Sequence, residues 1–367
     1  MSEPIQDRAE TIRRAKSAFA VVLSFAIIIS VIVVASKLIS DKWYEYRTAD
    51  DYLGMGAEEV EVVIPKGASI GEIGQILVKQ DVVKSVKAFR QAAVKNPQAN
   101  SLSYGKYRLH KQMEAKLAVE ALLNPDNRVR VFVTLPEGLT SSQQSAIIAS
   151  KTSITAESLE KVRKNPKDLN LPDWAENNVE GVLFPETYEV EDETTATSLL
   201  ARQVQQFKLV ANEVGLNNAT ERVGYSTPQV LVVASLIERE VNQEEYRPMV
   251  AAVIYNRLKA GMMLQFDSTV HYANGTMGDG RVTTTAEERK IDSPFNTYKV
   301  KGLPPSPICN PGRSAMSAAL NPAQSDALYF TTVNLDTGET KFAKTNEEHN
   351  VNVAEFQQWC QANPGRC

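Results

Sequence analysis

A run of 20 residues without a charged side chain, 17–36, constrains this chain more than any other feature. A helix needs about 20 apolar residues to cross the hydrocarbon core of a bilayer, so the run predicts a single transmembrane helix. Four basic residues precede it, namely Arg8, Arg13, Arg14 and Lys16. By the positive-inside rule this bias predicts a cytoplasmic tail over 1–16 and an extracytoplasmic remainder.

A cleaved signal peptide is the alternative interpretation of the same run. The apolar core of a signal peptide spans about 7–15 residues and ends in a small-x-small cleavage site. The run is longer than that and no such site closes it, so we expect an uncleaved anchor. Both interpretations leave most of the chain outside the cytoplasm.

Composition and charge narrow the function of the remainder. The 367 residues are 43% hydrophobic and 23% charged, with a net charge of −4, which is typical of a globular protein. A nucleic-acid-binding protein usually has an excess of basic residues, and this chain has a net negative charge, so we expect no nucleic-acid partner. The three histidines lie far apart and outside any metal-ligand spacing, so the sequence predicts no metal site and no other cofactor.

Three cysteines lie near the end of the chain, at Cys309, Cys360 and Cys367. In an oxidising compartment one pair is expected to form a disulfide and leave one thiol over. We expect Cys309 to pair with Cys360 or with Cys367. Three unpaired cysteines are the alternative.

Hydrophobic periodicity predicts an α+β fold with two units behind the transmembrane helix. A linker covers 37–57, the first unit covers 58–125, and the second covers 126–367. The first unit is predicted to begin with a strand over 60–64, a helix from Ser69 and a second helix over 85–94. A strand over 103–109 and a closing helix over 113–123 follow.

The second unit is predicted to mix short strands with helices. A strand over 128–134 leads into a helix capped by Ser141 or Ser142, and an apolar strand over 179–190 is broken at Pro185. Further predicted elements are a helix over 194–214, a helix beginning at Ser226 or Thr227, a helix stopped by Gly261, and a hairpin of 328–333 with 340–344. Residues 262–314 are expected to be loop-rich.

The segment "LVVASLIEREVN", 231–242, contains the strongest candidate for chemistry. Leu231, Ala234, Ser235 and Glu238 share one helix face, so Glu238 is expected to emerge beside small residues in a groove. Desolvation there would keep the carboxyl protonated, as a general acid requires. Glu240, two positions on, is rotated away and expected to be solvated. The alternative is that Glu238 is an ordinary surface residue at a helix end.

No serine-nucleophile, P-loop or dinucleotide motif is present in the sequence. The loop-rich region is dense in Asn, Asp, Gln, Tyr and Pro. Amides and carboxylates suit sugar hydroxyls, aromatic rings suit sugar faces, and one acid suits a glycosidic oxygen. The combination indicates a carbohydrate substrate.

Five blocks of the sequence resemble the endolytic murein transglycosylase family, also called the MltG or YceG-like family. They are "EGVLFPETY", "VLVVASLIERE", "VAAVIYNRLKAGMMLQFDSTVHYA", "DSPFNTY" and "GLPPSPICNPG", in order and at fitting distances. The resemblance extends to the N-terminal anchor and to the strand–helix–helix–strand unit, which is similar to LysM. It covers most of the chain and implies a single-pass protein of a bacterial plasma membrane, with an α+β catalytic domain over 126–367.

The resemblance also implies the reaction. The first glutamate of the family's "EKE"-type block falls on Glu238, which makes it the catalytic acid. The implied substrate is the nascent glycan strand of peptidoglycan, and the MurNAc–GlcNAc β-1,4 bond is cut without water to leave 1,6-anhydro-MurNAc ends, which limits strand elongation. Penicillin-binding proteins and other cell-wall synthases are the implied partners.

Five further residues are predicted to line the glycan cleft: Gln265, Asp267, Ser268, Asn296 and Tyr298. Hydrogen bonds that tie loops together are the alternative role for such Asn and Asp side chains. Ser268 stands where the family often has proline, so the shape of this loop is expected to differ.

Two other functions stay open at this point. A non-catalytic peptidoglycan-binding scaffold would not need Glu238. A hydrolytic muramidase would need a second carboxylate to activate water, for which Glu186 is the candidate. The LysM-like unit either contacts glycan or serves as a spacer.

Overall fold

The computed structural model of the protein describes residues 13–14, 22–40 and 49–366. Behind the N-terminal helix, the chain forms two compact units that divide between Val129 and Arg130. The division falls after Val129 because Arg128 and Val129 still pair with a strand of the first unit.

Helix α1 (Val22–Ser40) is long and apolar enough to cross a membrane. It continues past position 36 to Ser40, into the segment that the sequence analysis assigned to a linker. The first residues of the predicted span, 17–21, lie outside the described residues, as do 41–48 of the linker and 1–12 of the tail.

The first unit has the predicted order of strands and helices. Its elements are β1 (Glu59–Ile64), α2 (Ile70–Lys79), α3 (Val86–Lys95), β2 (Gly105–His110), α4 (Ala115–Leu123) and β3 (Arg128–Val129). β1 pairs antiparallel with β2 from Glu59 opposite His110 to Ile64 opposite Gly105, and β3 adds to the far edge of β2. Alternate residues of β1 and β2 face the two helices, and Leu77, Phe89 and Leu109 are fully buried there.

The second unit confirms the α+β class. Its elements are β4 (Val131–Thr134), α5 (Ser141–Lys151), α6 (Ala156–Lys164), β5 (Thr187–Val190), α7 (Ala196–Val214), α8 (Ala219–Val223), α9 (Thr227–Glu240), α10 (Arg247–Lys259), α11 (Asp267–Asn274), α12 (Arg313–Leu320), β6 (Tyr329–Asn334), β7 (Glu339–Ala343) and α13 (Asn346–Ala362). β4 pairs with β5 and β6 with β7, both antiparallel.

Helix α9 is the central helix of this unit. Ser226 caps it, Gln229 bonds back to the Ser226 backbone, and Pro228 lies in the first turn, as predicted. Every residue from Val230 to Ile237 is buried, and α9 packs against α10 and α12. A helix that is apolar over this length is stable only inside a core, and α9 reaches the surface at its first and last turns.

Three elements before α9 differ from the prediction. The strand expected over 128–134 is divided into β3, which pairs with β2, and β4, which pairs with β5. Of the strand expected over 179–190, only Thr187–Val190 is extended, because the backbone N–H groups of Gly181 and Leu183 donate to the Asn310 side chain rather than to a neighbouring strand. Thr140 caps α5, not Ser141 or Ser142. The hydroxyl of Ser141 instead donates to the buried Glu180.

Five helices were not predicted: α6, α8, α11, α12 and α13. Four of them have nine residues or fewer, and isolated helices of that length are marginal in water, so packing against other elements decides their formation. The expected pairing of Cys309 is wrong, because Cys309 is a free, buried thiol. The alternative of three unpaired cysteines is also wrong, because Cys360 is disulfide-bonded.

Candidate active site

The last turn of α9 has two glutamates, Glu238 and Glu240, which point to opposite sides because a helix turns about 100° per residue. Glu238 is 9% exposed. Its Oε1 accepts from Nη2 of Arg247 at 2.7 Å, and its Oε2 accepts from the backbone N–H of Gly312 at 2.9 Å. A guanidinium and a backbone amide both stabilise a charged carboxylate. Glu238 therefore ties the end of α9 to the starts of α10 and α12.

A third carboxylate, Glu137, lies on the Glu238 side. A Cβ added at Gly312 would collide with the Glu137 carboxylate, so the close approach requires glycine there. Partial burial, and then the charge of Glu238, raise the pKa of Glu137. Glu137 was not among the residues predicted from the sequence. Its available signal was a glutamate in a tight turn directly after a strand.

Glu240 has different surroundings. It is half-buried, and Oγ of Ser268 in α11 donates to its Oε1 at 2.5 Å. Burial raises the pKa of Glu240 to about 7, and the charge of Asp267 acts in the same direction, against the Ser268 hydrogen bond and the charges of Arg239 and Arg257. The expectation that Glu240 is solvated is wrong, because α11 covers this side of the helix end.

Three of the five predicted cleft residues gather near Glu240: Ser268, Asp267 and Tyr298. The hydroxyl of Tyr298 donates to Oδ1 of Asp267 at 2.8 Å, and the Arg289 guanidinium both bonds to Asp267 and lies 4.6 Å from the centre of the Tyr298 ring. Thr284 donates to the same carboxylate through its hydroxyl and its backbone N–H. The oxygens of Asp267 are thus engaged in holding the loop.

The other two predicted residues have separate positions. Asn296 is fully buried, and its Nδ2 donates to the carbonyls of Arg289 and Ile291, both at 2.8 Å, as in the loop-tying alternative. Gln265 is exposed and has a left-handed backbone with φ of +53°. Glu186 is exposed beside β5, and no contact of the described residues joins it to Glu238 or Glu240.

Glu180 is another buried carboxyl, and it lies outside the last turn of α9. It accepts from the N–H and hydroxyl of Ser141 and from Nδ2 of Asn310, and burial raises its pKa to about 7. It borders a cavity of about 380 Å³ beside Trp174 and the first turn of α9. Within the described ranges, no group of three His, Cys, Asp or Glu side chains could hold a metal ion.

Known proteins resemble this chain over most of its length. The sequence profile of the YceG-like family matches residues 62–355. The chain belongs to the YceG-like family. The protein named endolytic murein transglycosylase from Bacillus subtilis (strain 168) is 36% identical over 306 residues, which cover 79% of this chain and 83% of that protein. The family predicted from the sequence is therefore confirmed.

Two further relatives of this YceG-like protein extend the comparison. The endolytic murein transglycosylase of Streptococcus pneumoniae (strain ATCC BAA-255 / R6) is 32% identical over 365 residues, so the match covers 90% of this chain but 65% of that protein. A crystal structure of a YceG-like protein from Listeria monocytogenes has a TM-score of 0.55 at 32% identity and covers 80% of this chain and 99% of the Listeria chain.

Proposed function

We propose that this YceG-like protein is an endolytic lytic transglycosylase that cleaves the MurNAc–GlcNAc β-1,4 bond of nascent peptidoglycan strands. The names of its relatives in B. subtilis and S. pneumoniae state that activity for them. The observation that supports it most in this chain is Glu240, a half-buried carboxyl whose pKa burial raises to about 7. A general acid needs such a pKa in order to hold a proton at neutral pH and still release it.

The hydrogen bond from Ser268 distinguishes the two oxygens of Glu240. Because Oε1 accepts from the Ser268 hydroxyl, the carboxyl proton belongs on Oε2. Oε2 would protonate the glycosidic oxygen, and the C1–O bond would break as positive charge develops on the MurNAc ring.

The same carboxylate would then act as a base. It would take the proton of the MurNAc C6 hydroxyl while that oxygen attacks C1 and closes the 1,6-anhydro ring. The proton returns to Glu240, and no water is consumed. One carboxyl suffices because the nucleophile belongs to the substrate and is already close to C1.

The sequence predicted Glu238 as the catalytic acid, and we propose Glu240 in its place. Both oxygens of Glu238 are engaged, one by the Arg247 guanidinium and one by the backbone N–H of Gly312. Glu238 would have to leave a buried ion pair before it could carry a proton to the substrate. We therefore assign Glu238 to holding the last turn of α9 in place, and the proton transfer to Glu240.

A digestion with three matched variants tests the assignment. The full-length protein in detergent is incubated with uncrosslinked glycan strands beside Glu240→Gln, Glu238→Gln and Glu137→Gln, and product ends are identified by mass spectrometry. We expect anhydro ends from the wild type and a loss of about 10³-fold or more in Glu240→Gln. The other two variants should lose less activity, and their loss of activity should be proportional to their loss of folded protein.

Each other outcome of the digestion has a definite meaning. Full loss in Glu238→Gln with activity retained in Glu240→Gln would restore the original assignment. Reducing ends, heavier than anhydro ends by one water, would indicate a muramidase. Strand binding without cleavage by the wild type would favour the scaffold.

The cellular setting completes the proposal. Helix α1 is suited to hold the protein in the plasma membrane as a single-pass anchor, and the basic residues before it favour a cytoplasmic N-terminus. The catalytic domain would then work outside the cytoplasm, next to penicillin-binding proteins and other cell-wall synthases. The LysM-like unit over 58–125 would contact glycan.

A further inference from the structure

Arg257, near the C-terminal end of α10, joins two segments that are distant in the sequence. It is 7% exposed. Its Nε donates to the carbonyl of Leu328, just before β6, and its Nη1 donates to the carbonyl of Leu264, both at 2.6 Å. The planar guanidinium fixes the angle between two such bonds, which a lysine ammonium does not. The groups that Arg257 bonds to are therefore backbone carbonyls.

The bond to Leu264 fixes the start of the segment that leads to Ser268. The next residue, Gln265, has the left-handed φ of +53°, which costs free energy for any residue with a Cβ. Such a conformation persists where neighbouring groups hold it. Here the Gln265 N–H donates to the carbonyl of Thr297 at 3.1 Å, and the Phe266 N–H donates to the Thr297 hydroxyl at 2.9 Å. Arg257 and Thr297 together hold the segment 264–268.

The same guanidinium contributes charge to the site. Burial lowers the pKa of Arg257, and the charge of Glu240 acts in the opposite direction. The positive charge in turn lowers the pKa of Glu240, against the effect of burial. The other titratable groups near Glu240 are Asp267 on α11, Arg239 on α9 and Tyr298. Arg239 is exposed, so its charge is screened by solvent more than that of Arg257.

We propose that Arg257 is a positioning residue for the reaction: it holds the segment 264–268 against the last turn of α9 and keeps a fixed positive charge behind Glu240. The inference rests on the proposed function of Glu240. It has two consequences that a residue serving only the stability of the fold would not have. Arg257 lowers the pH at which Glu240 loses its proton, and it affects kcat more than KM.

The test compares Arg257→Gln and Arg257→Lys with Tyr255→Phe. Tyr255 lies on the same helix, and its hydroxyl donates to the carbonyl of Ala319 at 2.8 Å, so its variant loses one partly buried hydrogen bond without changing charge near Glu240. Two quantities are measured on the full-length protein in detergent. Carbon-13 NMR of labelled glutamate side chains follows the Glu240 titration, and cleavage rates give kcat and KM against pH.

Removal of the positive charge stabilises the protonated form of Glu240. We expect Arg257→Gln to raise the titration midpoint by about 0.5–1 pH unit and to lower kcat about tenfold or more, with KM within about threefold. Arg257→Lys keeps the charge, so its midpoint should stay at the wild-type value while kcat stays reduced. Tyr255→Phe should leave the midpoint and kcat unchanged.

An unshifted midpoint in folded Arg257→Gln would overturn the proposal, as would an equal shift in Tyr255→Phe. If Arg257→Gln does not fold, Arg257→Lys decides, because a wild-type kcat in that variant would exclude the positioning role. Absence of cleavage by the wild type is a failure of the proposed function, and the NMR midpoints still report whether Arg257 acts on Glu240.

Discussion

Glu238 and Glu240 are two positions apart at the end of the same helix, yet the two sides of that helix end surround a carboxyl differently. Glu238 accepts from a guanidinium and a backbone amide, which engage both of its oxygens. Glu240 receives one hydroxyl, and burial raises its pKa to about 7. The comparison teaches that the partners supplied by other elements, and not the position on the helix, decide the environment of each carboxyl.

The largest expected effect comes from breaking the Glu238 side. Arg247→Met would leave the charge of Glu238 buried without its partner, and we expect a loss of about 3–5 kcal/mol in the free energy of unfolding. Urea denaturation followed by circular dichroism measures it. The double variant Arg247→Met/Glu238→Leu, which removes both charges, should recover much of the loss. A loss below about 1 kcal/mol in the single variant would mean that the ion pair is as weak as a surface pair.

The pH dependence of cleavage sharpens the contrast between the two acids. A general acid works only when protonated, so the rate should fall as pH rises through the Glu240 pKa of about 7. Initial rates between about pH 5 and pH 9 measure this limb. Glu238→Gln should leave its midpoint in place. The roles assigned to the two residues would be reversed if the midpoint of this pH dependence shifted in Glu238→Gln but not in variants of the residues that contact Glu240.

The smallest effect is expected on the Glu240 side. The hydrogen bond from Ser268 lowers the pKa of Glu240, so Ser268→Ala should raise the alkaline midpoint by less than about one pH unit. The same rate profile measures it. Ser268→Thr, which keeps a hydroxyl, serves as the control and should behave as the wild type. A downward shift in Ser268→Ala would contradict the hydrogen-bond arrangement at Oε1.

Much of the framework around these residues was predictable. The cap at Ser226 with Pro228 behind it marked the start of α9, and its unbroken apolar run indicated a core helix. The hairpin of β6 and β7 followed from two alternating segments around a turn at 336–338. Such signals lie within a few residues of the element that they specify, so a single sequence is enough to find them.

The candidate site was only partly predictable. Helical geometry correctly put Glu238 and Glu240 on opposite sides, but the expectation of solvent around Glu240 failed because α11 was not foreseen. The polar segment "DSTVHYAN" has little apolar periodicity. Glu137 and Gly312 were missed for a related reason, since they lie far apart in the sequence and meet only when the turn after β4 reaches the start of α12.

The sequence by itself determined the membrane-spanning helix candidate, the α+β class, the core position of α9 and the presence of an acidic pair at its end. These depend on composition, periodicity and capping, which act over short distances along the chain. Only the tertiary structure decided which member of the pair bonds to Arg247 and Gly312 and which one burial brings to a pKa of about 7. Arg247 and Gly312 reach one carboxyl and Ser268 the other from separate parts of the chain, and the pKa of a carboxyl depends on the atoms that surround it in space.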